Sequence, residues 1–236
     1  MKLEELVISG AADMGVPLPS GAPEKLRTYF ELLTERNRVM NLTAIEGEED
    51  VARLHFLDSL ALTAFWDFSG KKIIDVGSGA GFPGLPIAVA VPTAFFTLLD
   101  SLGKRVEFLE EVCRETGVST ECLNARAEEA AKEPDRRESY DAAVSRAVAR
   151  LNVLCELCLP FVKLGGVFIA MKAAAAEEEI FEAENAVKIL GGGAPEVRDY
   201  TIPGTDLTHR AVIIPKVSPT PDKYPRRFAR IQKSPL

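Results

Sequence analysis

Asp75-Val76-Gly77-Ser78-Gly79-Ala80-Gly81 sets an acid ahead of alternate glycines at the end of the apolar run Lys72-Ile73-Ile74. Without a Cβ, such glycines let the chain turn sharply and let a ligand approach the backbone closely at the carboxyl edge of a sheet. This is nucleotide-binding chemistry. Pro83 suits the first turn of a following helix. Gly79-Ala80-Gly81-Phe82-Pro83-Gly84 also satisfies the dinucleotide pattern G-x-G-x-x-G, so the glycines alone fit both S-adenosylmethionine and NAD. Asp75 could hold the amino acid end of adenosylmethionine through water. Asp100, which ends Phe95-Phe96-Thr97-Leu98-Leu99-Asp100, could accept both ribose hydroxyls of either cofactor. Asn124-Ala125-Arg126-Ala127-Glu128 and Ser145-Arg146-Ala147 follow two further apolar runs and open on the same crevice. Glu128 reads as a cleft acid or as a solvated acid in a first helical turn. Arg146, directly after a buried strand, reads as functional.

The elements that must position these residues alternate along the chain. Lys72 to Val76, Phe95 to Leu99, Thr120 to Leu123, Ala142 to Ser145 and Val167 to Met171 read as buried strands. Leu85 to Val91, Gly103 to Thr116, Leu151 to Leu159 and Glu177 to Leu190 read as helices. That order predicts a parallel sheet covered on both faces. After Gly191-Gly192-Gly193, two strands, Glu196 to Ile202 and Arg210 to Val217, flank Pro203-Gly204-Thr205-Asp206. Such a closing hairpin belongs to methyltransferase sheets and is missing from flavodoxin-like ones. Upstream, Pro23 to Met40 spaces Leu26, Tyr29, Phe30, Leu33 and Asn37 as a helix with Ser20 as a candidate cap, and Glu48 to Phe65 repeats the pattern. The expected fold class is α/β: a Rossmann-like class I S-adenosylmethionine methyltransferase sheet, mostly parallel with a closing antiparallel hairpin, behind a helical N-terminal extension. The expected division is 1–68 for that extension, 69–217 for the methyltransferase domain and 218–236 for a basic C-terminal tail.

At 236 residues, 47% hydrophobic and 27% charged, the chain has the composition of a globular protein. It contains no apolar run long enough to span a bilayer and no signal-like start, so a cytoplasmic location and no membrane partner are expected. A net charge of −7 argues against nucleic-acid binding over the whole surface. The end differs: Lys216, Lys223, Arg226, Arg227, Arg230 and Lys233 stand against one acid, Asp222. Cys155 and Cys158 form a C-x-x-C inside an apolar helix, without further ligands at zinc spacing, and with Cys113 and Cys122 they read as structural thiols. No metal is expected.

Over nearly its whole length the chain resembles the glucose-inhibited division protein B family, the small-subunit ribosomal RNA methyltransferases that modify guanine N7 in the 530 loop of 16S rRNA. The matching motifs are Asn37-Arg38-Val39-Met40-Asn41-Leu42-Thr43, Arg53-Leu54-His55-Phe56-Leu57-Asp58-Ser59, Asp75 to Gly84, Leu99-Asp100-Ser101-Leu102-Gly103-Lys104-Arg105, Ser145-Arg146-Ala147 and Tyr224-Pro225-Arg226-Arg227. The resemblance implies S-adenosyl-L-methionine as cofactor, contacted by Gly77, Phe82, Asp100, Ser101, Leu102, Ala127, Glu128 and Arg146. It implies that Asn41, His55, Lys172 and the tail arginines Arg226 and Arg227 face RNA or the target base. Two departures stand out: Phe228-Ala229 follows the paired arginines where the family continues Pro-Gly, and Lys132 to Glu138 is an added charged segment.

Guanine N7 carries an in-plane lone pair, so its methylation needs alignment and no general base. Asn41, His55, Arg146 and Lys172 are the expected residues at the reacting end, and Asp75, Gly77, Gly79, Phe82, Asp100, Ser101, Leu102, Ala127, Glu128 and Arg146 hold the cofactor. His55 alone on an apolar helix reads first as a packed histidine, and His209 as structural. Lys172, at the end of the fifth strand, is expected to point to the cleft and meet phosphate or guanine O6. A monomer acting on 16S rRNA or the small subunit is expected. Alternatives are a methyltransferase acting on a small molecule or another RNA, a nucleotide-dependent dehydrogenase lacking a visible hydride-transfer centre, and a non-catalytic RNA-binding module.

Overall fold

The apolar runs from Lys72 onward assemble into one seven-stranded sheet in a computed structural model that describes residues 2–236. The strands are β1 (Lys72–Val76), β2 (Phe95–Asp100), β3 (Thr120–Asn124), β4 (Tyr140–Arg146), β5 (Val162–Ala173), β6 (Glu196–Thr201) and β7 (Thr208–Pro215), in the order β3-β2-β1-β4-β5-β7-β6. The first five are parallel, and β7 runs antiparallel between β5 and β6. The order reverses at β1, which places a crevice outside its carboxyl end. Ile73, Ile74 and Val76 are buried because helices cover both faces of the central strands.

The helices are α1 (Leu3–Asp13), α2 (Ala22–Met40), α3 (Glu48–Val51), α4 (Asp58–Leu60), α5 (Gly84–Ala90), α6 (Gly103–Thr116), α7 (Ala127–Ala130), α8 (Leu151–Cys158), α9 (Glu177–Ile189) and α10 (Phe228–Lys233). Between α3 and α4 the backbone widens into a π-turn over Ala52–Leu57. Three elements go beyond the sequence reading. α1 buries Leu3, Leu6, Val7 and Ala11 at helical spacing, α7 is a single turn, and α10 is seated by the fully buried Ile231. The start of α2 also differs, since Gly21 in the left-handed region (φ 81°), not Ser20, caps it.

The N-terminal helices share one core with the sheet: Leu3, Leu26, Leu33 and Phe56 pack in the same cluster as Ile73, Phe96 and Leu98. The other face is covered by α8 and α9 over Phe168 and Ile214, with Ile231 and Tyr224 from the C-terminal segment. That segment is strapped down. Arg137 donates to the carbonyls of Thr220 (2.7 Å) and Tyr224 (2.9 Å), and Glu138 accepts from the Thr220 N–H at 2.7 Å. The added charged segment before β4 is thus one of the anchors of the tail. Cys155 and Cys158 lie on α8 fully buried, and burial pushes the Cys155 thiol up to about 12. Among the described residues no helix is long and apolar enough to cross a membrane.

Candidate functional site

The carboxyl ends of β1 to β4, with the N-terminal helices, enclose a cavity of about 430 Å³. Its floor is the turn after β1. Gly77 (φ 75°) needs the left-handed region and abuts the loop after β4, for a Cβ there would lie 2.6 Å from Val148 Cγ2. Gly84 is needed for a different reason. Asp75, fully buried, accepts the Gly84 N–H at 2.8 Å, and a Cβ on Gly84 would collide with the same carboxylate oxygen at 2.7 Å. The other Asp75 oxygen has no hydrogen-bond partner, and burial pushes the carboxyl up to about 7. Asp75 does not line the cavity; it ties the turn to the start of α5 from behind.

At the β2–β3 side, Asp100 accepts N–H groups from Gly79 (3.0 Å) and Leu102 (2.9 Å) while lying on the cavity wall, with Arg105 Nη1 at 3.5 Å. Ser101, Ala127 and Glu128 complete this side. Glu128 is 7% exposed and has no hydrogen-bond or ion-pair partner among the described residues. A carboxylate beside the glycine turn and an unpaired one near the N-terminus of α7 suit the vicinal hydroxyls and exocyclic amine of an adenosine. The residues present fit adenosylmethionine.

The β4 side is assembled from four distant segments. Arg146 donates from Nη1 to Asp58 Oδ2 (2.9 Å) and to the Leu54 carbonyl (3.0 Å), and its Nη2 meets His55 Nδ1 at 3.0 Å. Its guanidinium lies 4.9 Å from the centre of the Phe82 ring, on which the His55 ring is also stacked at 4.3 Å. Asp58, 1% exposed, accepts also from the Tyr200 hydroxyl (2.8 Å) and from His209 Nδ1 (2.8 Å). Burial opposes its ionisation, but the His209 hydrogen bond and the Arg146 charge hold the carboxyl below its usual range. Leu54 and His55 lie within the π-turn and Asp58 directly follows it, so all three Arg146 partners come from one short stretch of chain. Burial, followed by the Arg146 charge, drops His55 to about 3, so the ring is neutral. Tyr29 stacks on Phe82 from beneath at 5.4 Å and donates its hydroxyl to the Ala80 carbonyl.

Of the residues expected from the sequence, Gly77, Gly79, Phe82, Asp100, Ser101, Ala127, Glu128, His55 and Arg146 line this cavity. Five do not. Asp75 is behind the turn. Leu102 caps the start of α6 with its side chain 53% exposed. Asn41 caps α2 in the left-handed region (φ 49°), exposed next to Leu42 and Thr43, which do line the cavity. Lys172 turns away from the cleft because Glu179 (2.7 Å) and the Ala149 carbonyl (2.7 Å) claim its ammonium. Arg226 is bound to the fully buried Glu156, Nε to Oε1 at 2.8 Å and Nη2 to Oε2 at 2.5 Å, whereas Arg227 is exposed.

Residues that sequence reasoning left unassigned include Thr43, Asp58, Arg105 and Phe228. All but Phe228 stand inside quoted motifs, and Phe228 marks the departure after the paired arginines. Tyr200 and His209, on the closing hairpin, had no sequence signal linking them to Asp58.

A family model described as GidB, rRNA small subunit methyltransferase G, matches residues 22–203. The chain is 46% identical over 238 residues to the ribosomal RNA small subunit methyltransferase G of Alkaliphilus oremlandii, covering 100% of both chains. It is 45% identical over the full length of the protein of that name from Clostridium beijerinckii. In fold it is similar to a SAM-dependent O-methyltransferase from Thermotoga maritima (TM-score 0.54, 19% identity, 80% of this chain and 72% of that one). It is also similar to M. jannaschii TYW2 in complex with AdoMet (TM-score 0.51, 16% identity, 65% and 71% of the two chains). The fold is therefore that of the adenosylmethionine-dependent methyltransferases, and by sequence the chain belongs to the GidB family of rRNA small subunit methyltransferase G proteins.

Proposed function

We propose that this protein transfers a methyl group from S-adenosylmethionine to N7 of a guanine in the 530 loop of 16S rRNA. The observation that carries it is a cavity with an adenosine-fitting side at β2–β3 and, across the glycine turn, a cluster that offers hydrogen bonds and no base. When bound, the cofactor supplies an electrophilic sulfonium methyl. Asp100 and Glu128 hold its adenosine end, and Gly77 and Gly79 leave room for it. Arg146, seated on Phe82 and fixed by Asp58, gives the far end a rigid cationic wall.

A neutral, fully hydrogen-bonded His55 is a poor proton acceptor, which suits a target whose lone pair is already free. Alignment can contribute up to about 7–11 kcal/mol. Single-stranded or loop guanine fits the site, since N7 in an A-form duplex lies in a groove that side chains do not enter. Exposed Lys223, Arg227, Arg230 and Lys233 are placed to meet phosphates, while Arg226 holds the tail in place. Asn41, exposed and next in sequence to the lining residues Leu42 and Thr43, meets RNA. The protein acts as a monomer in the cytoplasm.

Titration calorimetry with adenosylmethionine and NAD, followed by tritiated methyl transfer to 16S rRNA, naked and in the small subunit, tests this reading. Binding of adenosylmethionine and labelling of rRNA are expected. Binding of NAD alone, or labelling of small molecules but not rRNA, would overturn it.

A further inference from the structure

The hydrogen bonds around His55 leave only one place for each proton. A guanidinium can only donate, and an Arg146 Nη2–H points at His55 Nδ1, so that nitrogen must present its lone pair. The Leu54 carbonyl, 3.1 Å from Nδ1, is already supplied by Arg146 Nη1. The neutral ring therefore carries its proton on Nε2 and donates it to Thr43 Oγ1 at 2.8 Å. The same oxygen accepts the Ile45 N–H at 3.0 Å. A hydroxyl has two acceptor positions and one proton to give. Both acceptor positions are filled, and the Thr43 O–H has no acceptor among the described residues. Thr43 lines the cavity beside His55 and Arg146.

We propose that the Thr43 hydroxyl is the group that selects guanine over adenine, by donating a hydrogen bond to guanine O6. The assignment rests on the guanine N7 reading above. Guanine presents N7 and O6 as neighbouring acceptors, whereas adenine presents N7 beside an amino donor. N7 must stay free for the methyl, so discrimination falls to the adjacent group. An ordinary hydroxyl would turn round and accept from the adenine amine. Here His55 and Ile45 block that reversal, and adenine would leave two donors facing each other. Thr43 is thus a specificity residue, and His55 a positioning residue that fixes its proton.

The test replaces the target guanine in reconstituted small subunits with 2-aminopurine, which keeps N7 and lacks O6. Wild-type protein is expected to favour guanine in kcat/KM by ~10- to 100-fold. Thr43→Val should lower the guanine rate and bring that ratio down at least tenfold, while Thr43→Ser keeps it; intrinsic differences in N7 reactivity cancel between variants. Calorimetry checks that both variants bind adenosylmethionine as wild type does. An unchanged ratio in Thr43→Val overturns the assignment, and so does equal loss of transfer to both bases. If wild-type protein places no methyl on guanine N7, the underlying reading fails instead.

Discussion

Asp100 and Arg146 line the same cavity from opposite sides, and they are held in different ways. Asp100 is oriented by the N–H groups of Gly79 and Leu102, backbone that the turn and the start of α6 supply locally. Arg146 is oriented by Leu54, His55 and Asp58, and Asp58 is in turn gripped by Tyr200 and His209, 142 and 151 residues away in sequence. The first side is built to receive a ligand and needs little from the rest of the fold. On the second side, the joint between the N-terminal helices, the sheet and the closing hairpin is also the proposed reacting end, so stability and function are expected to be inseparable there.

Replacing the two acids should separate the sides most sharply. Asp58→Ala leaves the Arg146 cation and two other donors without their buried acceptor and is expected to cost about 3–5 kcal/mol, read as a large fall in Tm and near-complete loss of transfer. Asp100→Ala, which strands two backbone N–H groups, should lower Tm clearly less than Asp58→Ala and weaken adenosylmethionine binding by ~10- to 100-fold in calorimetry, as expected for losing a charged hydrogen bond or two. Equal loss of stability in both variants would erase the contrast.

The tail offers a second version of the comparison, in adjacent residues. Arg226→Ala strands Glu156 in the core and is expected to cost about 3–5 kcal/mol, with Glu156→Gln in the same chain recovering part of it. Arg227→Ala should leave the unfolding curve unchanged, weaken RNA binding uniformly across sequences, and reduce the salt slope by about 1. A fall in stability for Arg227→Ala, with none for Arg226→Ala, would reverse the assignment.

The smallest effects are in the pH dependence, and the two histidines have opposite signs. The Asp58 hydrogen bond raises His209, so its contribution to stability is complete below about pH 6.5 and is lost as pH rises through the folded value. Burial lowers His55 to about 3, so its contribution is present above about pH 6.5 and fades as pH falls towards 3. Denaturant titrations between pH 4 and 8 should show His209→Gln flattening the alkaline decline and His55→Gln flattening the acid one, a range chosen to bracket about 6.5.

Much of the first side was legible in the sequence. A glycine turn leaving a strand, and an acid ending the next strand, are read from short contiguous segments. The second side was not, because nothing local says that Tyr200 and His209 fold back onto Asp58, or that a helix widens into a π-turn at Ala52–Leu57. Lys172 and Arg226 were read by position, as cations at a strand end and in a basic tail, while their partners decide their roles. One signal was present: Glu156, set among Leu154, Cys155, Leu157 and Cys158, is a carboxylate on a buried helix and required a cation from somewhere.

The most direct test of the account is to map the methyl group placed on small-subunit rRNA by the purified protein with adenosylmethionine, by cleavage at 7-methylguanine and mass spectrometry of the fragments. The account predicts a single 7-methylguanine within the 530 loop. A methyl on another atom or outside that loop, or none although adenosylmethionine binds, would contradict it.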